Sequence, residues 1–179
     1  LYCYDFDSTC RWRNAIGDNL DWVKVQGRAN AFRLQATTGT GIHPEAPYAA
    51  ILTPRALPPD QGGILISDPV PCQAGDGELR MKFWTSPQTE LSLCVRRLGK
   101  SQLDYCSDPI TNGDPGPAFI NIPGPLFEPF EANSNTRRSG NQETPRPRTT
   151  DRPNLENTRV PNDGSDGAAC KTLDCNFLT

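Results

Sequence analysis

A succession of short runs with strand composition is the feature that most limits what this chain can fold into. Eight such runs occur between residues 21 and 123, and each is bounded by Gly, Pro, Asn or Asp. They span residues 21–27, 31–37, 48–54, 63–69, 77–86, 90–98, 102–108 and 118–123. No longer window repeats its apolar residues at the helical period. The pattern predicts an all-β fold, a sandwich of two antiparallel sheets.

Alternation within two of the runs indicates which side chains form the core. In ELRMKFW, Leu79, Met81 and Phe83 fall on one face, and charged residues fall on the other. In the next run, Leu91, Leu93 and Val95 share a face, and Cys94 lies on the opposite one. The two apolar faces are the expected contact between sheets.

The composition changes near residue 131. Of the 14 aromatic residues, 13 lie in residues 1–130. Residues 131–169 are rich in Pro, Arg, Thr and Asn, and they hold too little apolar surface to offset the cost of ordering the backbone. We therefore expect a sandwich domain at 1–130, a disordered spacer at 131–169 and a cysteine-containing tail at 170–179. The tail motif LDCNF is similar to the opening LYCYDF, which suggests the start of another module.

Seven cysteines in 179 residues favour an oxidising, extracellular location, because cytosolic proteins of this size carry fewer. Zinc binding is the rival interpretation, but no C-x-x-C pair is present. The chain shows no signal peptide and starts without Met, so we expect a processed protein or a piece of a longer one. No apolar run approaches the roughly 18 residues that a membrane span needs.

Charge and histidine content argue against two broad functions. Lys and Arg total 18 against 21 Asp and Glu, a net charge of −3, which gives no reason to expect nucleic acid as a partner. The single histidine, His43, lies in a loop sequence beside Pro, and no G-x-S-x-G motif accompanies it. We expect no catalytic residues and a chain that is not an enzyme.

The first 27 residues carry the most informative motif. It contains Cys3, Phe6-Asp7, Cys10, Trp12, Asn14 and the element Asp18-Asn19-Leu20-Asp21-Trp22. The two Trp rings offer large apolar surfaces to a core. The carboxylates around them suit either a calcium site or the capping of turns.

This opening resembles the start of a MAM domain, the extracellular module named for meprin, A5 (neuropilin) and a receptor tyrosine phosphatase. The resemblance continues in GILISDPV, in RMKFWTS and in ELSLCVRR, and it covers about residues 1–100. The chain departs from the family pattern at Cys94 and Cys106, which are extra, and in its closing strand, which lacks the paired acidic residues.

The expected disulfides rest on different arguments. Cys3–Cys10 is supported by proximity and by the resemblance, and Cys94–Cys106 by the geometry of facing hairpin strands. Cys72–Cys170 follows by elimination and leaves Cys175 over.

The resemblance also implies that the sandwich is jelly-roll-like, and it implies roles for particular residues. It strengthens a structural calcium site at Asp7, Asp18 and Asp21, the only cofactor that we expect. Trp12, Trp22, Phe83 and Trp84 are the expected aromatic core.

The implied function is an extracellular, non-catalytic module of a secreted or membrane-attached protein. It would bind another extracellular protein or a second copy of itself, in adhesion or oligomerisation. The alternatives are a structural component of matrix or cuticle and an accessory domain of a secreted enzyme.

Overall fold

Short strands, most of them paired antiparallel, form the architecture. The structure, a computed structural model, describes residues 1, 3, 6–53, 58, 61–110, 115–138 and 174–177. In chain order the elements are β1 (Trp12–Asn14), β2 (Val23–Val25), α1 (Ala31–Thr38), β3 (Tyr48–Ala50), β4 (Gly62–Ser67), β5 (Gly77–Met81), β6 (Thr89–Arg97), β7 (Tyr105–Cys106), β8 (Ala118–Ile122), β9 (Phe130–Arg138) and β10 (Asp174–Phe177). The all-β prediction is confirmed, with one short helix added.

The strands form two main sheets and a separate ribbon. The larger sheet has the order β1-β4-β9-β6-β7, and the smaller one has the order β10-β5-β8. Strands β2 and β3 pair with each other as a two-stranded ribbon. All these pairs are antiparallel apart from β10 and β5, which run parallel with Cys175 opposite Leu79.

The hydrophobic core lies between the larger and the smaller sheet. Every second residue of a strand points to the same face, so one face of each sheet is apolar. The smaller sheet contributes Leu79, Met81, Ile120 and Ile122, and the larger one contributes Leu91, Leu93, Val95, Phe130 and Ala132. The alternation in ELRMKFW and in the run at 90–98 therefore predicted the buried faces correctly. The two sheets pack face to face as a sandwich.

The central position of β9 corrects the domain boundary expected at residue 130. This strand pairs with β4 on one side and with β6 along its whole length on the other. Both edges of its backbone are thus satisfied, which outweighs the polar character of its side chains. The spacer prediction is wrong for residues 131–138, and its remainder, 139–169, lies outside the described residues.

The segment expected as a strand at 31–37 is the helix α1, which is a second correction. Asn30 caps its start, because its side-chain oxygen accepts a hydrogen bond from the backbone N–H of Arg33 at 3.0 Å. Gly39 ends it in the left-handed conformation, with φ of 76°, and its N–H donates to the carbonyl of Gln35. The two caps, together with good helix formers such as Ala31, Leu34 and Gln35, account for the helix.

Two of the three predicted disulfides are confirmed. Cys3–Cys10 joins Cα atoms 4.5 Å apart, and Cys94–Cys106 joins Cα atoms 4.0 Å apart on the paired strands β6 and β7. Cys72 is also disulfide-bonded. Its predicted partner, Cys170, lies outside the described residues.

Of the tail expected at 170–179, the structure describes only residues 174–177, which form β10 on the edge of the smaller sheet. Among the described residues, no helix is both long and apolar enough to cross a membrane.

Candidate functional site

The three aspartates of the expected calcium site have other roles or lie apart. Asp18 accepts a hydrogen bond from the backbone N–H of Ile64 at 2.7 Å, which ties the loop before β2 to strand β4. Asp7 accepts from both the backbone N–H and the hydroxyl of Thr9. Asp21 is exposed. In the described part of the chain, no group of three acidic, histidine or cysteine side chains is arranged to hold a metal ion. The calcium site stays a prediction.

The four expected core aromatics divide into two pairs. Trp12 and Phe83 are buried in the core. Trp22 and Trp84 are half-buried outside the core cluster. The prediction that Trp22 and Trp84 belong to the core is therefore wrong, because their rings face a groove and are not enclosed between the sheets.

Side-chain hydrogen bonds hold both groove tryptophans in place. Asn14 accepts from the backbone N–H of Trp22 at 2.8 Å and donates to its carbonyl at 3.0 Å. The indole N–H of Trp84 donates to the carbonyl of Ile42 at 2.8 Å. Asn14 lies on β1 and Ile42 follows α1, so these bonds attach the β2–β3 region to the sandwich.

We use the name flap for residues 23–53, which comprise β2, α1, β3 and their connecting loops. The flap packs closely on β4 where that strand has a glycine. A Cβ built on Gly63 would lie 2.5 Å from the carbonyl oxygen of Leu20 and 2.6 Å from Cδ1 of Ile51. No larger residue fits there without moving the flap or the preceding loop.

A groove of about 980 Å³ is lined by the flap and by both sheets. The sandwich contributes Leu65, Leu79, Met81, Phe83 and Leu91, and the flap contributes Leu34, Tyr48 and Ile51. Small-molecule sites are typically concave, mostly apolar and about 300–1,000 Å³ in volume. The groove meets all three conditions.

The charged residues that line the groove are all basic. They are Arg28, Arg33, Lys82 and Arg137, and no described acidic residue lines it. This is notable in a chain with more acidic than basic residues. Arg137 pairs with Glu90 at 3.3 Å. Arg28 and Arg33 are exposed, and neither has an acidic partner among the described residues.

Two buried polar atoms of groove-lining residues have no hydrogen-bond partner among the described residues. They are Nε1 of Trp22 and Oγ1 of Thr136. Buried polar atoms are nearly always paired in native proteins, so each exception calls for an explanation. Both atoms are shielded from solvent.

A second polar cluster lies on the outer face of the larger sheet. The nearly buried carboxylate of Glu131 binds Arg13 at 2.7 Å and Arg96 at 3.2 Å. This cluster links β1, β6 and β9, and its role is structural. Sequence reasoning missed it because Glu131 was assigned to the spacer, although the alternation of Glu131 with Phe130 and Ala132 was a usable signal.

Three titrating groups near the β6–β7 hairpin have shifted pKa values. A side-chain hydrogen bond from Arg97 lowers the pKa of the Asp104 carboxyl, and the same bond raises the pKa of Arg97. Burial raises the pKa of the Tyr105 phenol. The Asp104–Arg97 pair braces the hairpin beside the Cys94–Cys106 bond.

Comparison with models of protein families, with curated proteins and with solved structures finds no match. The resemblance to MAM domains therefore stays a proposal.

Proposed function

We propose that this chain is an extracellular, non-catalytic module, MAM-like in character, that associates with a second copy of itself through the flap. The disulfide-bonded sandwich supports the extracellular part of the proposal, since such bonds persist in oxidising compartments. The resemblance of residues 1–100 supports the association part, because family modules act in adhesion and oligomerisation.

The observation that carries the proposal is the exposure of large apolar side chains on the flap. Phe32 is 82% exposed, Leu52 is 73% exposed and Ile42 is 59% exposed. Apolar side chains that no neighbour covers are a mark of interaction surfaces, and aromatic residues are enriched there. A two-fold contact lets the same surface on two copies cover itself.

Sedimentation velocity over a wide concentration range tests the association. The intact, oxidised protein is expected to gain mass with concentration, and the Phe32→Ser/Ile42→Ser variant is expected to remain monomeric. The matched control is Leu98→Ser/Leu103→Ser, which removes two exposed apolar residues from the β6–β7 hairpin and should associate as the wild type does. A wild-type chain that stays monomeric, or a loss that is equal in both variants, would overturn the proposal.

Peptide mapping of the unreduced, alkylated protein tests the compartment. Peptides linking Cys3 to Cys10 and Cys94 to Cys106 are expected. Seven free thiols would remove the extracellular argument. Assembly into large polymers would favour the matrix alternative, and a lasting monomer would favour an accessory domain.

A further inference from the structure

We propose that the groove beneath the flap binds a single-chain amphiphile with a carboxylate head, of the long-chain fatty acid type. The proposal goes beyond self-association, because it concerns the groove beneath the flap and not the exposed apolar side chains that would form a contact between two copies. Phe32 and Ile42, which test association, do not line the groove. The two proposals can therefore fail separately.

The apolar part of the ligand follows from the lining. Leu79, Met81 and Phe83 present the edge of the core to the groove, and Leu34 and Tyr48 face it from the flap. Burial of an alkyl chain against such surfaces is favourable by about 25 cal/mol per Å² of apolar area removed from water. The volume of about 980 Å³ is ample for one chain and lies near the upper end of ordinary ligand sites.

The carboxylate head follows from the charges. Arg28 and Arg33 both belong to the flap, line the same groove and lack an acidic partner among the described residues. An arginine fork binds a carboxylate through two parallel hydrogen bonds, which gives orientation as well as energy. A purely hydrocarbon ligand would gain no hydrogen bond or ion pair from these two guanidinium groups.

A small ligand fits the groove better than an extended peptide. A peptide would require backbone partners along its length, as in strand addition to a sheet edge. Of the strands that line the groove, β4, β5, β6 and β9 are each paired on both sides, and only the three-residue β3 has a free edge in the described part of the chain.

Binding is measured with the full-length, oxidised chain after extraction of any co-purified lipid. Oleate is titrated below its micelle concentration by calorimetry, and tryptophan emission is recorded in parallel because Trp22 and Trp84 line the groove. Oleyl alcohol is the uncharged probe, and acetate is the head-group probe. Saturable binding of oleate with a shift in emission is expected, with weaker binding of oleyl alcohol and none of acetate.

The Arg28→Gln/Arg33→Gln variant tests the head-group contact. Oleate affinity should fall about tenfold or more, the size expected for losing hydrogen bonds to a charged group, and oleyl alcohol affinity should not change. Both arginines are exposed, so the variant should fold. Lys24→Gln/Lys100→Gln removes the same charge from residues that do not line the groove, and it is expected to bind as the wild type does.

Ala50→Phe places a ring in the groove and tests the location of the chain. It should weaken oleate and oleyl alcohol together. The proposal is overturned if oleate shows no saturable binding, if the arginine variant and its lysine control lose affinity equally, or if Ala50→Phe binds both probes as the wild type does. Binding of an acidic peptide in place of oleate would also overturn it.

Discussion

Removal of the Cys94–Cys106 disulfide is the sharpest test of how the sandwich is stabilised. The bond joins residues 12 apart in sequence, on strands whose direct pairing places the two cysteines opposite each other. A cross-link of this kind stabilises mainly by limiting the unfolded chain. The chain-entropy relation assigns about 3 kcal/mol at 25 °C to a loop of this length.

The magnitude translates into a measurable shift. With a urea slope of about 2 kcal/mol/M, a loss of about 3 kcal/mol moves the midpoint of unfolding down by about 1.5 M. The Cys94→Ala/Cys106→Ala variant should also show a slightly steeper slope, because its unfolded chain is no longer cross-linked and exposes more surface. Urea unfolding followed by tryptophan emission measures both quantities.

Reduction provides the internal control for this variant. In the presence of a strong reductant, neither protein contains the bond, so the difference in midpoint should nearly vanish. Under oxidising conditions, midpoints that agree within about 0.3 M would refute the entropic argument, since the expected shift is several times larger. A difference that persists under reduction would show that lost packing of Cys94, not the cross-link, is responsible.

Three further results are expected. Glu131→Gln should lower the free energy of unfolding in urea by about 1–3 kcal/mol, because its two arginine partners lose a charged acceptor. The control, Glu128→Gln, changes an exposed carboxylate and should leave the free energy of unfolding nearly unchanged. Equal effects of the two variants would contradict the role of the buried carboxylate. Asp104 has a folded pKa below its ordinary value of 3.8, so its contribution to stability is present above that pH and is lost as the pH falls through the folded pKa. In thermal unfolding at a series of acidic pH values, Asp104→Asn should lose less stability than the wild type as the pH falls. A pH dependence of stability equal to that of the wild type would refute the assignment. Gly63→Ala should displace the flap and raise the rate of hydrogen exchange at the flap's amides. The control is Gly75→Ala, where a Cβ meets nothing within 4 Å, and it should leave that rate unchanged. Equal exchange rates in the two variants would argue against close packing at Gly63.

Local patterns accounted for much of the sandwich. Strand positions and buried faces followed from apolar residues at every second position, Leu79 and Met81 in one strand and Leu91 and Leu93 in another, since side-chain direction in a strand reverses at each residue. The Cys94–Cys106 bond followed from the expected hairpin. The helix α1 was missed because eight residues are too few to show a helical period, although most of them are good helix formers and Asn30 and Gly39 are recognisable caps at its two ends.

The class of fold, the inward faces of the strands and two of the disulfides could be predicted from local sequence, because each depends on residues close together along the chain. Tertiary structure decided what depends on distant residues. Strand β9 is polar in composition and is ordered by β4 and β6 on its two sides. The carboxylate of Glu131 has a binding partner because the fold brings Arg13, which is far away in sequence, within hydrogen-bonding distance. The groove exists because the flap lies over the sandwich, so that Arg28 and Arg33 line the same groove as Leu79 and Met81, and no local pattern encodes that arrangement.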